Sequence, residues 1–139
     1  MKPLSTLPLV FIFGFLLGAV DIPRLAAQRR SLPGSQSRML LKADLTGCSG
    51  KEVSIAVNEL SPGTSGKHYH PGESFTYVLD GSEVYEIEGQ PSKVVKAGDV
   101  LHEEPMQVHT VDNAKPVKLL VIRVSEKGQP DTVWIGPRP

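Results

Sequence analysis

The sequence predicts an all-β fold of short strands, arranged as a sandwich or a barrel. Glycine and proline account for 13 and 12 of the 139 residues, which favours many turns between short strands over long helices. Between the turns, apolar and polar residues alternate, so that Val53, Ile55 and Val57 fall on one face of a strand. From Met39 onward the sequence shows no helical period. The length suits one domain and hardly two.

Seven segments are candidate strands, and turn signals separate them. The segments are MLLKADL, EVSIAVNEL, SFTYVLDG, EVYEIEG, SKVVKAGDVL, VHTVDN and VKLLVIRV. The turn signals are Ser61-Pro62-Gly63, Asp80-Gly81, Glu88-Gly89, Ala97-Gly98-Asp99 and Asp112-Asn113. A last short strand, Thr132 to Ile135, can follow before a proline-rich end. Short strands at this spacing indicate a sandwich or a barrel over residues 38–139.

Residues 1–27 have the pattern of a targeting segment. Lys2 precedes an apolar run from Leu7 to Val20, which is shorter than the roughly 20 apolar residues that a membrane-spanning helix needs. The run is typical of a secretory signal peptide, although an N-terminal anchor that is retained also fits. Either reading predicts an exported protein, periplasmic or secreted, with no membrane contact beyond this segment. Residues 28–37 are polar and are predicted to form a linker.

Charge and cysteine content exclude several functional classes. Fifteen acidic and 15 basic residues give a formal net charge of +0, so the chain lacks the basic surface of a nucleic-acid-binding protein. The only cysteine, Cys48, excludes an internal disulfide and any metal site built from several cysteines. We expect Cys48 to be buried as a small apolar residue. Histidines and carboxylates therefore remain as the candidate chemical groups.

Three of the four histidines are candidate metal ligands. His68 and His70 stand two residues apart in a strand-like segment, so both imidazoles lie on one face of that strand. His109 lies in a second strand-like segment, QVHTV. Three imidazoles on facing strands make a competent site for a divalent first-row metal. The alternative is an exposed histidine pair without a ligand role.

The spacing of residues around these histidines resembles the cupin superfamily. The two motifs are Gly63…His68-Tyr69-His70…Gly81 and Gly98…Pro105…His109…Asn113. The resemblance covers about residues 40–124 and extends to small exported single-domain cupins, which often end in a segment like KGQP. It implies a jelly-roll β-barrel, or double-stranded β-helix, with Fe, Mn, Ni or Zn bound inside by the three histidines. It does not imply a reaction, because this fold hosts many chemistries.

The fourth ligand position departs from the family pattern. Where cupins carry a glutamate ahead of Gly81, this chain has Ser74, and Glu73 stands one place earlier. A shift of one residue along a strand reverses the side-chain direction, so regular pairing directs Ser74 at the metal and Glu73 away from it. The turn at Pro71-Gly72 could instead bring Glu73 in as the fourth ligand. Without Glu73, three neutral imidazoles leave the ion its full charge, which favours an anionic ligand.

Four further residues are candidates for the substrate pocket: Ser74, Tyr77, His102 and Gln107. Glu103 and Glu104, which follow His102, are expected to be solvated charges at the rim. The main hypothesis is an exported cupin that binds one divalent metal and a small anionic organic ligand, with metal-dependent oxygenase activity. The alternatives are a non-enzymatic binding or sensor module and a barrel without metal. A homodimer could form through Thr132 to Ile135, because an edge strand needs a cover.

Overall fold

The computed structural model describes residues 34–136. The predicted targeting segment and most of the predicted linker lie outside these residues. Within residues 34–136, no helix is long and apolar enough to cross a lipid bilayer.

The described residues form antiparallel strands and no helix, which confirms the predicted all-β class. The strands are β1 (Gln36–Asp44), β2 (Lys51–Leu60), β3 (Gly63–Thr64), β4 (His68–Tyr69), β5 (Glu73–Asp80), β6 (Ser82–Ile87), β7 (Lys93–Lys96), β8 (Val100–Glu103), β9 (His109–Asn113), β10 (Val117–Glu126) and β11 (Val133–Trp134). The first strand begins at Gln36, inside the segment predicted as a linker. Glycines with positive φ lie between consecutive strands, for example Gly81 at 81° and Gly98 at 94°.

The strands form two sheets that face each other as a jelly roll. One sheet has five strands in the order β1-β2-β10-β5-β8, and the other has the order β11-β4-β9-β6-β7, with β3 paired to β9. Several neighbours in this order are far apart in sequence, as where β10 lies between β2 and β5. This crossed order brings the two sequence motifs together across the interior.

The interior is apolar at one end and polar at the other. The apolar cluster joins both sheets and contains Val78, Tyr85, Val95, Leu101, Val117, Leu119 and Val121. Beyond it, the pairing of β2, β10, β5 and β8 places four polar residues in one row across the inner face of the five-stranded sheet. In strand order this row is Ser54, Arg123, Ser74 and Glu103. Buried polar side chains are costly unless they are paired, so this row is a candidate functional site.

The outer face of the same sheet is unusually apolar. The pairing aligns Leu41, Ile55, Ile122 and Phe75 in one row across β1, β2, β10 and β5. Leu41 and Phe75 are 46% and 36% exposed. Val53 and Ile55 are only half-buried and lie on this outer face, while Ser54 and Ala56 are buried. Val57, which the alternation places with Val53 and Ile55, is itself buried.

The environment of Cys48 differs from the expectation. Cys48 is exposed in the connection between β1 and β2. Its amide donates a hydrogen bond to the carbonyl of Leu45, and its carbonyl accepts one from Lys51. The tight turn keeps the side chain outside the barrel, because so short a connection cannot reach the interior.

Candidate metal centre

The structure brings His68, His70 and His109 together inside the barrel. His68 of β4 is paired directly with His109 of β9, and His70 follows the end of β4. The three side chains are buried, and one ring nitrogen from each lies within 4.8 Å of the others. Two residues apart on an extended chain, His68 and His70 share a face, as the sequence predicts.

Each of the three imidazoles is oriented by a backbone carbonyl. The Nδ1 atoms of His68, His70 and His109 lie 2.7, 2.6 and 2.9 Å from the carbonyl oxygens of Gly66, Asp131 and Gln107. A carbonyl oxygen only accepts, so each Nδ1 carries the proton and each Nε2 presents a lone pair. Nε2 of His109 is buried without a hydrogen-bond partner among the described residues. Such carbonyl-oriented imidazoles are typical of metal ligands, and this donor set fits a divalent ion.

The surroundings keep these imidazoles neutral. Burial lowers the pKa of His68 to about 4, and the proximity of His109 adds to that effect. Burial and then the guanidinium of Arg123 lower the pKa of His70 to about 3. Burial also lowers the pKa of His109. A neutral imidazole is the form that binds metal, so the site stays competent well below neutral pH.

Glu103 is a member of the site that the sequence analysis placed at the solvated rim. Its side chain is buried, with Oε1 at 3.5 Å from Nε2 of His109 and Oε2 at 3.9 Å from Nε2 of His70. The hydroxyl of Tyr85 donates a 2.8 Å hydrogen bond to Oε1. Burial raises the pKa of Glu103, but the proximity of His70 and then of His109 outweighs it, and the hydrogen bond from Tyr85 adds to their effect, so the carboxyl pKa is lowered.

The sequence of β8 contained no local signal for the orientation of Glu103. Leu101 and Glu103 alternate with Val100 and His102, so each face of the strand carries one apolar and one polar residue. Because adjacent residues of a strand face opposite sides, the prediction that His102 lies in the pocket implied that Glu103 points outward. The structure reverses both orientations.

The structure corrects three predicted site residues, because β5 and β8 turn them outward. Glu73 does not reach the imidazoles; its Oε1 lies 2.8 Å from Nε2 of His102 on the outer face, where both side chains are exposed. His102 stacks on Phe75 with ring centroids 4.9 Å apart. Tyr77 is 41% exposed on the same face. Along β5 the inward residues are Ser74, Thr76 and Val78, so regular alternation places Ser74 inside, and the turn does not bring Glu73 in.

Ser74 and Gln107 lie at the site. Ser74 is fully buried on the inner face of β5, directly opposite Glu103. Gln107 acts through its backbone carbonyl, which orients His109, and its side-chain Oε1 is buried. Trp134 of β11 lies with its ring centroid 4.8 Å from that of His68 and packs against the imidazole.

Comparison with known proteins identifies the family. The model of the cupin domain matches residues 56–123. A cupin-like protein from Thermotoga maritima is 30% identical, with 73% of this chain and 76% of that chain covered and a TM-score of 0.53. The chain belongs to the cupin superfamily. The resemblance deduced from the two histidine motifs is thus confirmed, and so is the predicted jelly roll.

Other solved structures share the fold of this cupin at lower identity. The DMSP lyase DddQ from Ruegeria pomeroyi is 19% identical, with 76% of this chain and 53% of that chain covered and a TM-score of 0.61. KdgF from Halomonas sp. is 17% identical, with 71% and 84% covered and a TM-score of 0.56. This cupin thus spans about half the length of the DMSP lyase. No curated protein matches its sequence.

Proposed function

We propose that this cupin binds one divalent metal ion through His68, His70 and His109, and a small anionic organic ligand beside it. The observation that carries the proposal is the common orientation of the three imidazoles, each with Nδ1 held by a carbonyl and Nε2 left to bind. Iron, manganese, nickel and zinc all accept such nitrogen donors. Export remains a prediction from residues 1–27.

Arg123 supports the anionic character of the ligand. It projects from β10 into the polar row, and its Nη2 lies 3.4 Å from Nε2 of His70. A metal ion bound at His70 would take the lone pair that this guanidinium now faces. The guanidinium donors would then face the ligand beside the ion, and a planar guanidinium suits a carboxylate or an enolate oxygen.

Two classes of function fit this arrangement. A bound divalent ion would act as a Lewis acid on an oxygen of the ligand, or support its oxidation. Oxygen-dependent turnover of an anionic or enolic compound is the proposed activity, and the DMSP lyase among the similar folds adds elimination to the reactions worth testing. The alternative is a binding or sensor module without turnover. Oxygen uptake and product analysis over a panel of carboxylates would separate the two, since a sensor would bind ligand and convert none.

Metal content tests the proposed site directly. We expect the purified wild-type protein to hold one ion per chain, and the variant with His68, His70 and His109 all changed to alanine to hold none, because no other cluster of described residues offers these donors. Elemental analysis measures the content. His102→Ala is the matched control and should keep the metal, since His102 lies on the outer face. Stoichiometric metal in the triple variant would refute the proposal.

We also propose that a second copy of the chain covers the apolar outer face. That face ends at β1, an edge strand whose side chains are all exposed, so a twofold contact would shield both the face and the edge. Because the formal net charge is +0, electrostatic repulsion between two copies of the chain is small. β11, the segment suggested by sequence, is already paired with β4.

Light scattering on size-exclusion fractions tests the dimer. We expect a dimeric wild-type protein and a monomeric Tyr77→Glu variant, because the new charge would be buried in the contact. Val94→Glu is the control: Val94 is 65% exposed on β7 of the other sheet, so its variant should remain dimeric. A monomeric wild-type protein, or equal effects of both variants, would contradict the proposed contact.

A further inference from the structure

The polar row of the five-stranded sheet contains a carboxylate that the three-histidine proposal does not use. We propose that Glu103 is the fourth protein ligand of the metal, supplied from β8 in place of the glutamate that Ser74 replaces on β5. This inference rests on the proposed metal site and adds to it a ligand from the spacer between Gly98 and Pro105 of the second motif, a position that neither motif specifies. It assigns the centre three imidazoles and one carboxylate.

The strand pairing explains how the replacement works. Ser74 and Glu103 are direct partners across β5 and β8, and both point into the barrel. Side chains of directly paired residues start about 5 Å apart, so a glutamate on either strand can reach the same point. The chain places the short hydroxyl on β5 and the long carboxylate on β8. The Ser74 side chain thereby leaves the space through which Glu103 reaches the imidazoles.

The distances agree with a shared ion. Two ligand atoms that each lie about 2.1 Å from one ion are about 3.0 Å apart at right angles and about 3.4 Å apart in a tetrahedron. The Glu103 oxygens lie 3.5 and 3.9 Å from Nε2 of His109 and His70. A shift of about half an ångström therefore brings the carboxylate into the coordination sphere, well within the freedom of a glutamate side chain.

The hydrogen bonds also favour a metal ion at this point, in addition to the guanidinium of Arg123, which faces Nε2 of His70 at 3.4 Å. The Nδ1 contacts leave the Nε2 atoms as acceptors, and an ionised carboxylate is an acceptor only. Tyr85 donates to Oε1, while Oε2 is buried without a partner. Buried acceptors that face one another are unfavourable unless a cation lies between them. A divalent ion held by the three imidazoles and the carboxylate would satisfy all four groups, and Tyr85 holds the carboxylate in position.

Zinc affinity, measured by competition with a chromophoric chelator, tests this assignment. We expect Glu103→Gln to weaken Zn(II) binding by about 100-fold or more, since even groups that only orient ligands contribute about 10- to 100-fold. The swap Ser74→Glu/Glu103→Ser should recover affinity to within about 10-fold of wild type, because the carboxylate returns from the neighbouring strand. Glu86→Gln is the control: it removes an exposed carboxylate that accepts a hydrogen bond from Thr110 on the outside of the barrel, and it should change the affinity little.

The outcomes separate this inference from the metal site itself. A Glu103→Gln protein that binds Zn(II) as tightly as wild type overturns the role of Glu103 and leaves the three-histidine site intact. A wild-type protein that binds no metal overturns both. If Glu103→Gln does not fold, the zinc affinity of the swap is compared with that of Glu103→Ser. Tighter binding by the swap supports the assignment, and equal binding overturns it. X-ray absorption on the zinc-loaded proteins should show one oxygen ligand fewer in Glu103→Ser than in the swap.

Discussion

In the metal-free protein, Glu83 is expected to lower the free energy of unfolding as the pH rises from about 4.5 to about 7, and Glu83→Gln is expected to abolish this effect. Glu83 is 3% exposed on the inner face of β6, and its Oε2 has no hydrogen-bond partner among the described residues. Burial, and then the negative charge of Glu103, raise the pKa of Glu83 to about 7. The folded protein therefore keeps a proton that the unfolded chain releases.

The sign and size follow from this difference in proton binding. The stability that protonated Glu83 contributes is fully present below the unfolded pKa of 4.5 and is lost as the pH rises through about 7. The pKa difference corresponds to roughly 3 kcal/mol in the free energy of unfolding. His68 acts in the opposite sense: its folded pKa of about 4 means that its contribution is lost as the pH falls below 6.5. Both proteins keep His68, so its contribution cancels when the free energy of unfolding of wild type is subtracted from that of Glu83→Gln.

Urea unfolding from pH 4.5 to 8, with a chelator present, measures this difference. Relative to wild type, Glu83→Gln should gain stability steadily as the pH rises, up to roughly 3 kcal/mol above pH 7. Glu86→Gln, which removes a carboxylate from the exposed face of the same strand, controls for the loss of one negative charge. A difference between Glu83→Gln and wild type that stays constant with pH would show that Glu83 does not hold the extra proton.

Changing Gly72 to alanine is expected to destabilise the protein by about 3 kcal/mol and to weaken metal binding. A Cβ at Gly72 would collide with the carbonyl oxygen of Val124 and lie 2.6 Å from Cβ of Ser125. These atoms belong to β10 and its backbone, so they cannot move aside cheaply, and overpacking of this kind costs about 1–3 kcal/mol. Because His70 stands two residues earlier, a displaced turn would also shift its imidazole.

Gly89→Ala provides the matched control. Gly89 has a φ of 81°, but a Cβ there meets no atom within 4 Å. Its variant should therefore show only the backbone cost of about 1–2 kcal/mol and unchanged zinc affinity. Urea unfolding and zinc competition give both quantities for each variant. Equal losses of stability in the two proteins would mean that the close approach of β10 to Gly72 adds nothing to the cost of a Cβ at this position.

Local patterns were sufficient for the strands and for three ligands. Alternation and turn residues predicted the succession of β2, β5, β6, β9 and β10, because both depend on neighbours in sequence. The spacing of His68 and His70 fixed their common face in the same way. Gly72 was predicted as a turn residue, but the main reason that this position needs a glycine is the close approach of β10. No local sequence pattern reveals that approach.

The sequence by itself determined an all-β cupin barrel with three histidines inside it. Only the tertiary structure decided which face of each strand is the interior. Alternation separates two faces without saying which one is inside. The usual assumption that the apolar face points inward fails around the polar row, because Ile55 and Phe75 lie outside while Ser54, Ser74 and Glu103 lie inside. The physical reason is that the interior holds a polar site, and Glu103 joins it through its pairing with Ser74, a contact between strands far apart along the chain.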